Sequence, residues 1–244
     1  MARLVLEFQS KYLLRKSEIV LFVPSMNLGE TIKEQSLTPY QDKQKKYPLM
    51  ILLGGFGESK YAWESHSNIE DLAEKYGLCL AMIGGENKWY LNYSPIDAWE
   101  SYINYELPDF LFGNFSCFNK QKYICGCSMG GYGALHSYLL YKDSYEGCIA
   151  LSPATRPDNK ELEQSLGTKS LHELVADLKD DNTNVYLSIG TKDFIYKDSV
   201  LFNDYLLECN KGISYKFKEG FGHNWELWQQ EIEAALKEIL KINN

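Results

Sequence analysis

The sequence predicts an α/β protein, with a mainly parallel central sheet covered by helices on both faces. Two observations carry this. Continuous apolar runs such as "YPLMILLGG" (47–55) and "LCLAMIGG" (78–85) end in glycines and show no polar alternation, the pattern of strands buried on both sides. Segments of helical period lie between such runs. Strands alternating with helices at this spacing need crossovers that lay helices over the sheet.

The elements follow in order. "RLVLEFQ" (3–9) and "SEIVLFVP" (17–24) read as two strands with a short connection, an antiparallel edge pair. The run at 47–55 is the first buried strand. "SNIEDLAEKYG" (67–77) follows as a helix, with Ile69, Leu72 and Ala73 at three-and-four spacing and Gly77 placed to end it. The run at 78–85 is the next strand. "DAWESYINYELPDFLFG" (97–113) has a capping aspartate and periodic apolar positions, with Pro108 bending or breaking its later part. "KYICGCS" (122–128) is a strand, 130–142 a helix and "GCIALSPA" (147–154) a strand. Residues 155–183 are polar and partly helical. "NVYLSIG" (184–190), a helix near 198–210, "SYKFKE" (214–219) and a helix over 224–241 complete the chain. In the last helix Ile232, Ala235, Leu236, Ile239 and Leu240 draw one apolar stripe. With no internal repeat, low-complexity segment or linker, the expectation is one domain over 1–244, with 155–183 readable as a small insertion.

Composition narrows the class. The chain has 244 residues, 45% hydrophobic and 24% charged, enough to bury a sizeable core. Its net charge of −8 gives no electrostatic reason to expect nucleic acid or anionic lipid as a partner. No stretch approaches the roughly 18 apolar residues of a membrane span. The start, "MARLVLEFQSKYLLRKSE", is interrupted by Glu7, Gln9 and Lys11 and reads as mature sequence rather than a signal peptide. Six cysteines lie scattered through apolar runs, which fits reduced, mostly buried thiols in a cytoplasmic protein.

The chemistry-bearing stretch is "GCSMGGYGAL" (126–135). Glycines at −2 and +2 around Ser128 match the nucleophile elbow, where a tight strand-to-helix turn leaves no room for side chains and forces the serine outward. The N–H of Met129, at the helix start, can face developing negative charge. A random chain of this length holds the pattern by chance about once in twelve. The strand before it and the helix after it therefore carry the inference.

An elbow of this kind takes its acid and its histidine from later in the chain, acid first. Among the histidines that follow Ser128, His172 and His223 are the candidates weighed. His172, in "SLHELVADL", is accounted for by helical period; His223, in "GFGHNWELW", sits in a glycine-flanked loop and is preferred. Asp193, three residues past the strand "VYLSIG", is the preferred acid, since its rival Asp198 stands where a helix cap explains it.

With "GTKDFIY", "GHNWELW", "LLGGFGES", "NKWYLNY" (87–93) and "YELPDFL" (105–111), the elbow resembles the tributyrin-esterase and esterase D-like branch of serine α/β-hydrolases, over most of the chain and in the right order. The resemblance implies an α/β-hydrolase fold, with Ser128 as nucleophile, Asp193 as acid and His223 as base, and no metal or organic cofactor. The family usually has His-Gly after the third strand, where this chain has Gly54-Gly55. That departure bears on the second oxyanion donor, taken as the N–H of Phe56 with Gly55 as fallback. Trp89, Tyr90 and Trp225 are read as substrate contacts, each with core packing as the competing reading. Dimers and tetramers are common among similar proteins.

Other features are set aside. "GGFGESK" (54–60) lacks the glycine before lysine that a P-loop needs and the third glycine of a dinucleotide loop. Cys125 and Cys127 share one face of a buried strand with no second metal-binding pair nearby in sequence. The expectation is a cytoplasmic serine carboxylesterase for short-chain, acetyl or aryl esters. So short a chain leaves little material for a lid, which favours small soluble substrates. The alternatives are an S-formylglutathione-type thioesterase and, from another class, a non-catalytic ligand-binding homologue.

Overall fold

Among the described residues, eight strands form one sheet in the order β1-β2-β4-β3-β7-β8-β9-β10. The computed structural model describes residues 1–38, 40, 45–155, 166–179 and 182–242. The strands are β1 (Ala2–Gln9), β2 (Lys16–Val23), β3 (Tyr47–Leu53), β4 (Cys79–Ile83), β7 (Phe118–Cys127), β8 (Gly147–Leu151), β9 (Val185–Gly190) and β10 (Tyr215–Lys218), with a separate small hairpin of β5 (Asn92–Ser94) and β6 (Asp97–Ala98). β1 pairs with β2, and β2 with β4, antiparallel; every other pairing in the large sheet is parallel. This is the expected α/β architecture with its antiparallel edge pair.

Alternation along the buried strands divides the interior into two layers. On β3, Leu49, Ile51 and Leu53 face one layer while Met50 and Leu52 face the other. The first layer is covered by α6 (Met129–Leu140), α7 (Leu171–Ala176) and α8 (Tyr196–Cys209), supplying Tyr132, Leu174 and Phe202. The second is covered by α3 (Ile69–Tyr76) and α9 (Trp225–Ile239), supplying Leu72, Ile232 and Leu236. In the apolar stripe of α9, Ile232, Ala235, Leu236 and Ile239 are all buried, and full burial of such an aliphatic chain contributes about 1.5–3 kcal/mol. Gly77 ends α3 in the left-handed region, φ 66°.

Several elements differ from the sequence reading. Asp97 caps no helix. It lies in β6, and its carboxylate pairs with Lys88 at 3.1 Å. Of the two outcomes expected at Pro108, bending or breaking, the helix is not broken. α4 (Trp99–Ser101) passes through a π turn (Tyr102–Glu106) into α5 (Leu107–Asn114), with the proline at the start of the last segment. The wider turn accommodates the missing proline N–H and the ring's clash with the preceding turn. There the Asn104 side chain donates to Glu100 O at 2.8 Å. Asp198 lies inside the first turn of α8, which begins at Tyr196 rather than at 198. The short helices α1 (Leu28–Lys33) and α2 (Ala62–His66) and the β5–β6 hairpin were not expected. Of the segment read as an insertion, 156–165 and 180–181 fall outside the described residues; α7 lies in the remainder. Among the described residues no helix is long and apolar enough to cross a membrane.

Candidate active site

The chain runs from β3 outward to β4 and later returns to place β7 on the other side of β3. That reversal opens a crevice at the carboxyl ends of β3 and β7, where ligands bind in open α/β sheets. The loop after β3 carries Gly54–Glu58 and the turn after β7 carries Ser128, so both border the crevice.

Ser128 has φ 55° and ψ −119°, a sparsely populated backbone state that costs about 1–3 kcal/mol. Close packing around the turn enforces it. A Cβ at Gly126 would lie 2.1 Å from Gly130 O, and one at Gly130 would lie 2.3 Å from Leu53 O. The Ser128 N–H is held by Leu151 O at 2.9 Å. Although Ser128 stands at the N-cap of α6, its hydroxyl makes no capping bond. Oγ instead lies 2.8 Å from His223 Nε2.

His223 comes from the loop between β10 and α9, and its Nδ1 lies 2.8 Å from Asp193 Oδ2. Asp193 is buried, and its other oxygen accepts the Ile195 N–H at 3.0 Å. A carboxylate so placed selects the tautomer that carries its proton on Nδ1 and leaves Nε2 free to accept from the serine. The imidazole is held between Phe194, 4.6 Å between ring centres, and Trp228, edge-on at 5.1 Å. Gly190 allows the acid and histidine loops to meet: a Cβ there would stand 2.1 Å from Phe221 O, and Lys192 N donates to that same carbonyl at 2.9 Å. His172 instead packs its ring against Phe202 and Tyr205.

The two donor candidates after β3 separate clearly. The Gly55 N–H donates to Glu58 Oε2 at 2.6 Å, so it is already committed. The Phe56 N–H has no acceptor among the described residues, and the Phe56 side chain is exposed. The first N–H groups of α6, including that of Met129, have no partner within the helix.

Two of the three aromatics expected at the substrate are packed in the interior. Trp89 and Tyr90 are 9% and 1% exposed. Trp89 packs edge-on against Tyr132 of α6, and the Tyr90 hydroxyl donates to Gly54 O at 2.9 Å. Both support the site from beneath, which corrects the expectation that they touch substrate. Trp225 is half-buried and donates through Nε1 to Glu58 Oε1 at 2.7 Å. Glu58, Phe194 and Trp228 were not singled out from the sequence, and a glutamate in a glycine-rich loop carries no signal that separates it from a solvated one. Cys125 and Cys127 are fully buried on one face of β7, where burial pushes their thiols up, and none of the six cysteines is in a disulfide.

A strained serine at the switch point of a mainly parallel sheet, in line with a histidine, defines a serine hydrolase of the α/β-hydrolase fold. The chain belongs to the esterase family: the family model described as "Putative esterase" matches residues 25–239. It is 24% identical over 273 aligned positions, covering all of both chains, to an acetyl esterase of Caldicellulosiruptor saccharolyticus. It is 27% identical to an S-formylglutathione hydrolase of Arabidopsis thaliana over 65% of this chain and 61% of that one. Among solved structures, an S-formylglutathione hydrolase of Staphylococcus aureus superposes with a TM-score of 0.79 over 98% of each chain at 22% identity, a likeness of fold. The relatives agree with the esterase D-like resemblance, and the protein is a serine esterase.

Proposed function

We propose that the protein is a carboxylesterase acting on short-chain acyl, acetyl or aryl esters through a Ser128–His223–Asp193 triad. The observation that carries the reading is the unbroken chain of contacts, 2.8 Å from Ser128 Oγ to His223 and 2.8 Å from His223 to Asp193. Ser128 Oγ attacks the ester carbonyl carbon while Nε2 of His223 takes the hydroxyl proton; Asp193 stabilises the resulting imidazolium. The N–H groups of Met129 and Phe56 receive the oxyanion, each such donor being worth about 3–4 kcal/mol of barrier. Collapse expels the alcohol, which leaves with the proton from His223. Water, deprotonated by the same nitrogen, then cleaves the acyl-enzyme. No cofactor is needed in this sequence of steps.

The test is labelling with a fluorophosphonate together with hydrolysis of p-nitrophenyl esters of increasing acyl length. Stoichiometric labelling that Ser128→Ala abolishes, with turnover highest on acetyl to butyryl esters, is the expected result. Turnover that climbs steadily with chain length and peaks on emulsified long-chain fat would overturn the assignment of substrate. An unlabelled wild-type protein would overturn the triad. The S-formylglutathione hydrolase relatives favour a second reading, thioester cleavage at the same serine. Higher kcat/KM on S-formylglutathione than on p-nitrophenyl acetate would select it. We further propose that the chain works as a single domain in the cytoplasm, on a small soluble substrate rather than nucleic acid or membrane.

A further inference from the structure

We propose that Glu58 is a positioning residue, one that locks the peptide bearing the Phe56 N–H toward the oxyanion and ties that loop to the loop carrying His223. The inference rests on the esterase reading above and concerns how the second donor is held.

The geometry begins with two consecutive peptide groups. The Gly54–Gly55 peptide is gripped at both ends: its C=O accepts the Tyr90 hydroxyl at 2.9 Å, and its N–H donates to Glu58 Oε2 at 2.6 Å. The Gly55–Phe56 peptide is gripped at one end, where Gly55 O accepts the Glu58 N–H at 3.2 Å. In a trans peptide the C=O and N–H point in opposite directions. Turning Gly55 O toward Glu58 therefore turns the Phe56 N–H away from it. Side chain and backbone of Glu58 thus set both peptide planes in a stretch whose two glycines would otherwise rotate freely. Asn87 adds a third restraint, accepting the Gly57 N–H at 2.6 Å.

The second carboxylate oxygen reaches a different segment. Oε1 accepts Trp225 Nε1 at 2.7 Å. Trp225 follows His223 by two residues and packs edge-on against Trp228 at 5.1 Å, the ring that itself backs the imidazole. Oε2 also lies 3.8 Å from the thiol of Cys127, the residue before the nucleophile. One half-buried side chain therefore touches the donor loop, the histidine loop and the strand end that presents Ser128. Both of its oxygens are occupied by donors, which leaves neither free to act as a base. Charge-assisted bonds of this length are stronger than bonds between neutral groups, so the clamp is stiff.

The experiment compares Glu58→Ala and Glu58→Gln with the wild type on p-nitrophenyl acetate, with Trp225→Phe and the double variant E58A/W225F alongside. Glu58→Ala is expected to lower kcat roughly tenfold to a hundredfold, less than full loss of a donor, while KM moves less than about threefold. Glu58→Gln, whose amide oxygen can replace only one of the two acceptors, falls between. A trifluoromethyl ketone, which forms the tetrahedral adduct, loses affinity in proportion to kcat, whereas binding of the carboxylate product stays level. A merely structural role would move both ligands together. E58A/W225F is expected to be no slower than Glu58→Ala alone, because the two groups act through one bond. Glu58→Ala or Glu58→Gln with wild-type kcat overturns the inference, as does equal weakening of ketone and product. If Glu58→Ala fails to fold, the decision passes to Glu58→Gln, which keeps the shape. Failure of the esterase reading is distinguishable, since the wild-type protein itself would then neither label nor turn over, and both proposals fall.

Discussion

Replacing Gly130 by alanine tests the steric logic of the elbow directly. The added Cβ would sit 2.3 Å from Leu53 O and 2.7 Å from Gly54 O, both backbone atoms that no rotamer change can move. Relief to an ordinary contact requires the start of α6 to withdraw from β3 by about 1 Å, an overpacking strain of about 1–3 kcal/mol. That movement carries the Met129 N–H and Ser128 away from the donor loop, and a displacement of about 1 Å at a reacting centre lowers rates by about a hundredfold. The assay is kcat/KM on p-nitrophenyl acetate beside the urea midpoint of unfolding. A hundredfold slower enzyme with a lowered midpoint is expected. Gly113→Ala is the control: nothing lies within 4 Å of its Cβ position, and alanine in α5 is expected to raise stability by about 0.5 kcal/mol with activity unchanged. Wild-type activity and midpoint in Gly130→Ala would refute the argument that packing against β3 dictates the glycine.

Further outcomes are open to measurement. Asp193→Asn is expected to lower kcat about a thousandfold to ten-thousandfold while the fold persists, because the amide no longer selects the tautomer that leaves Nε2 as acceptor; a loss under tenfold would remove Asp193 from its role. His136 is buried beside Glu100 at 3.9 Å, and burial lowers its pKa from 6.5 to about 4. Between those values the unfolded chain takes up a proton that the folded one refuses, so stability falls as pH drops, by about 3 kcal/mol over the window. Glu100, whose pKa burial raises, works in the opposite sense, gaining stability toward acid. Urea midpoints of wild type and His136→Gln between pH 6.5 and 4.5 therefore isolate the histidine, and equal slopes would refute it. Cys117, held by a hydrogen bond from Cys79 at about 7, is expected to be alkylated by iodoacetamide first. Cys125, Cys127 and Cys148 react only on unfolding, and peptide mapping that finds them modified earlier would contradict the burial.

What was legible in the sequence shares one property: the physical demand falls on residues adjacent in the chain. The apolar runs of β3, β4 and β8 announce two-sided burial because every residue of β4 and β8, and of β3 from Leu49 onward, is in the core. Gly126 and Gly130 announce the elbow because each is too near a backbone atom to carry a side chain. Pro108 pointed correctly to irregularity in the helix, but a chain can absorb a missing N–H by widening a turn as well as by stopping. The choice between these depends on the contacts of Asn104 with Glu100 and with Tyr145, 41 residues away. Likewise an aromatic pair in a loop, such as Trp89 and Tyr90, reads the same whether it faces a ligand or props the backbone. The space left by Gly133, whose Cβ would lie 2.6 Å from the Tyr90 ring, decides it.

Gly54 stands where similar proteins carry histidine. A Cβ there would meet Ser59 O at 3.4 Å and Glu58 Cβ at 3.5 Å, so sterics do not demand glycine as they do at Gly126. Two successive glycines instead give the loop after β3 a freedom that a His-Gly pair would restrict, and freedom at the proposed oxyanion donor would lower the fraction of time the N–H is correctly aimed. Something else must then supply the rigidity. Three side chains converge on the stretch, Tyr90 on the Gly54 carbonyl, Glu58 on the Gly55 N–H and Asn87 on the Gly57 N–H. Two of them stand more than 25 positions away in the chain, which is why the glycines were visible as a motif and their restraints were not. Rigidity here is a property of the assembled crevice, and the glycines are tolerable because of it.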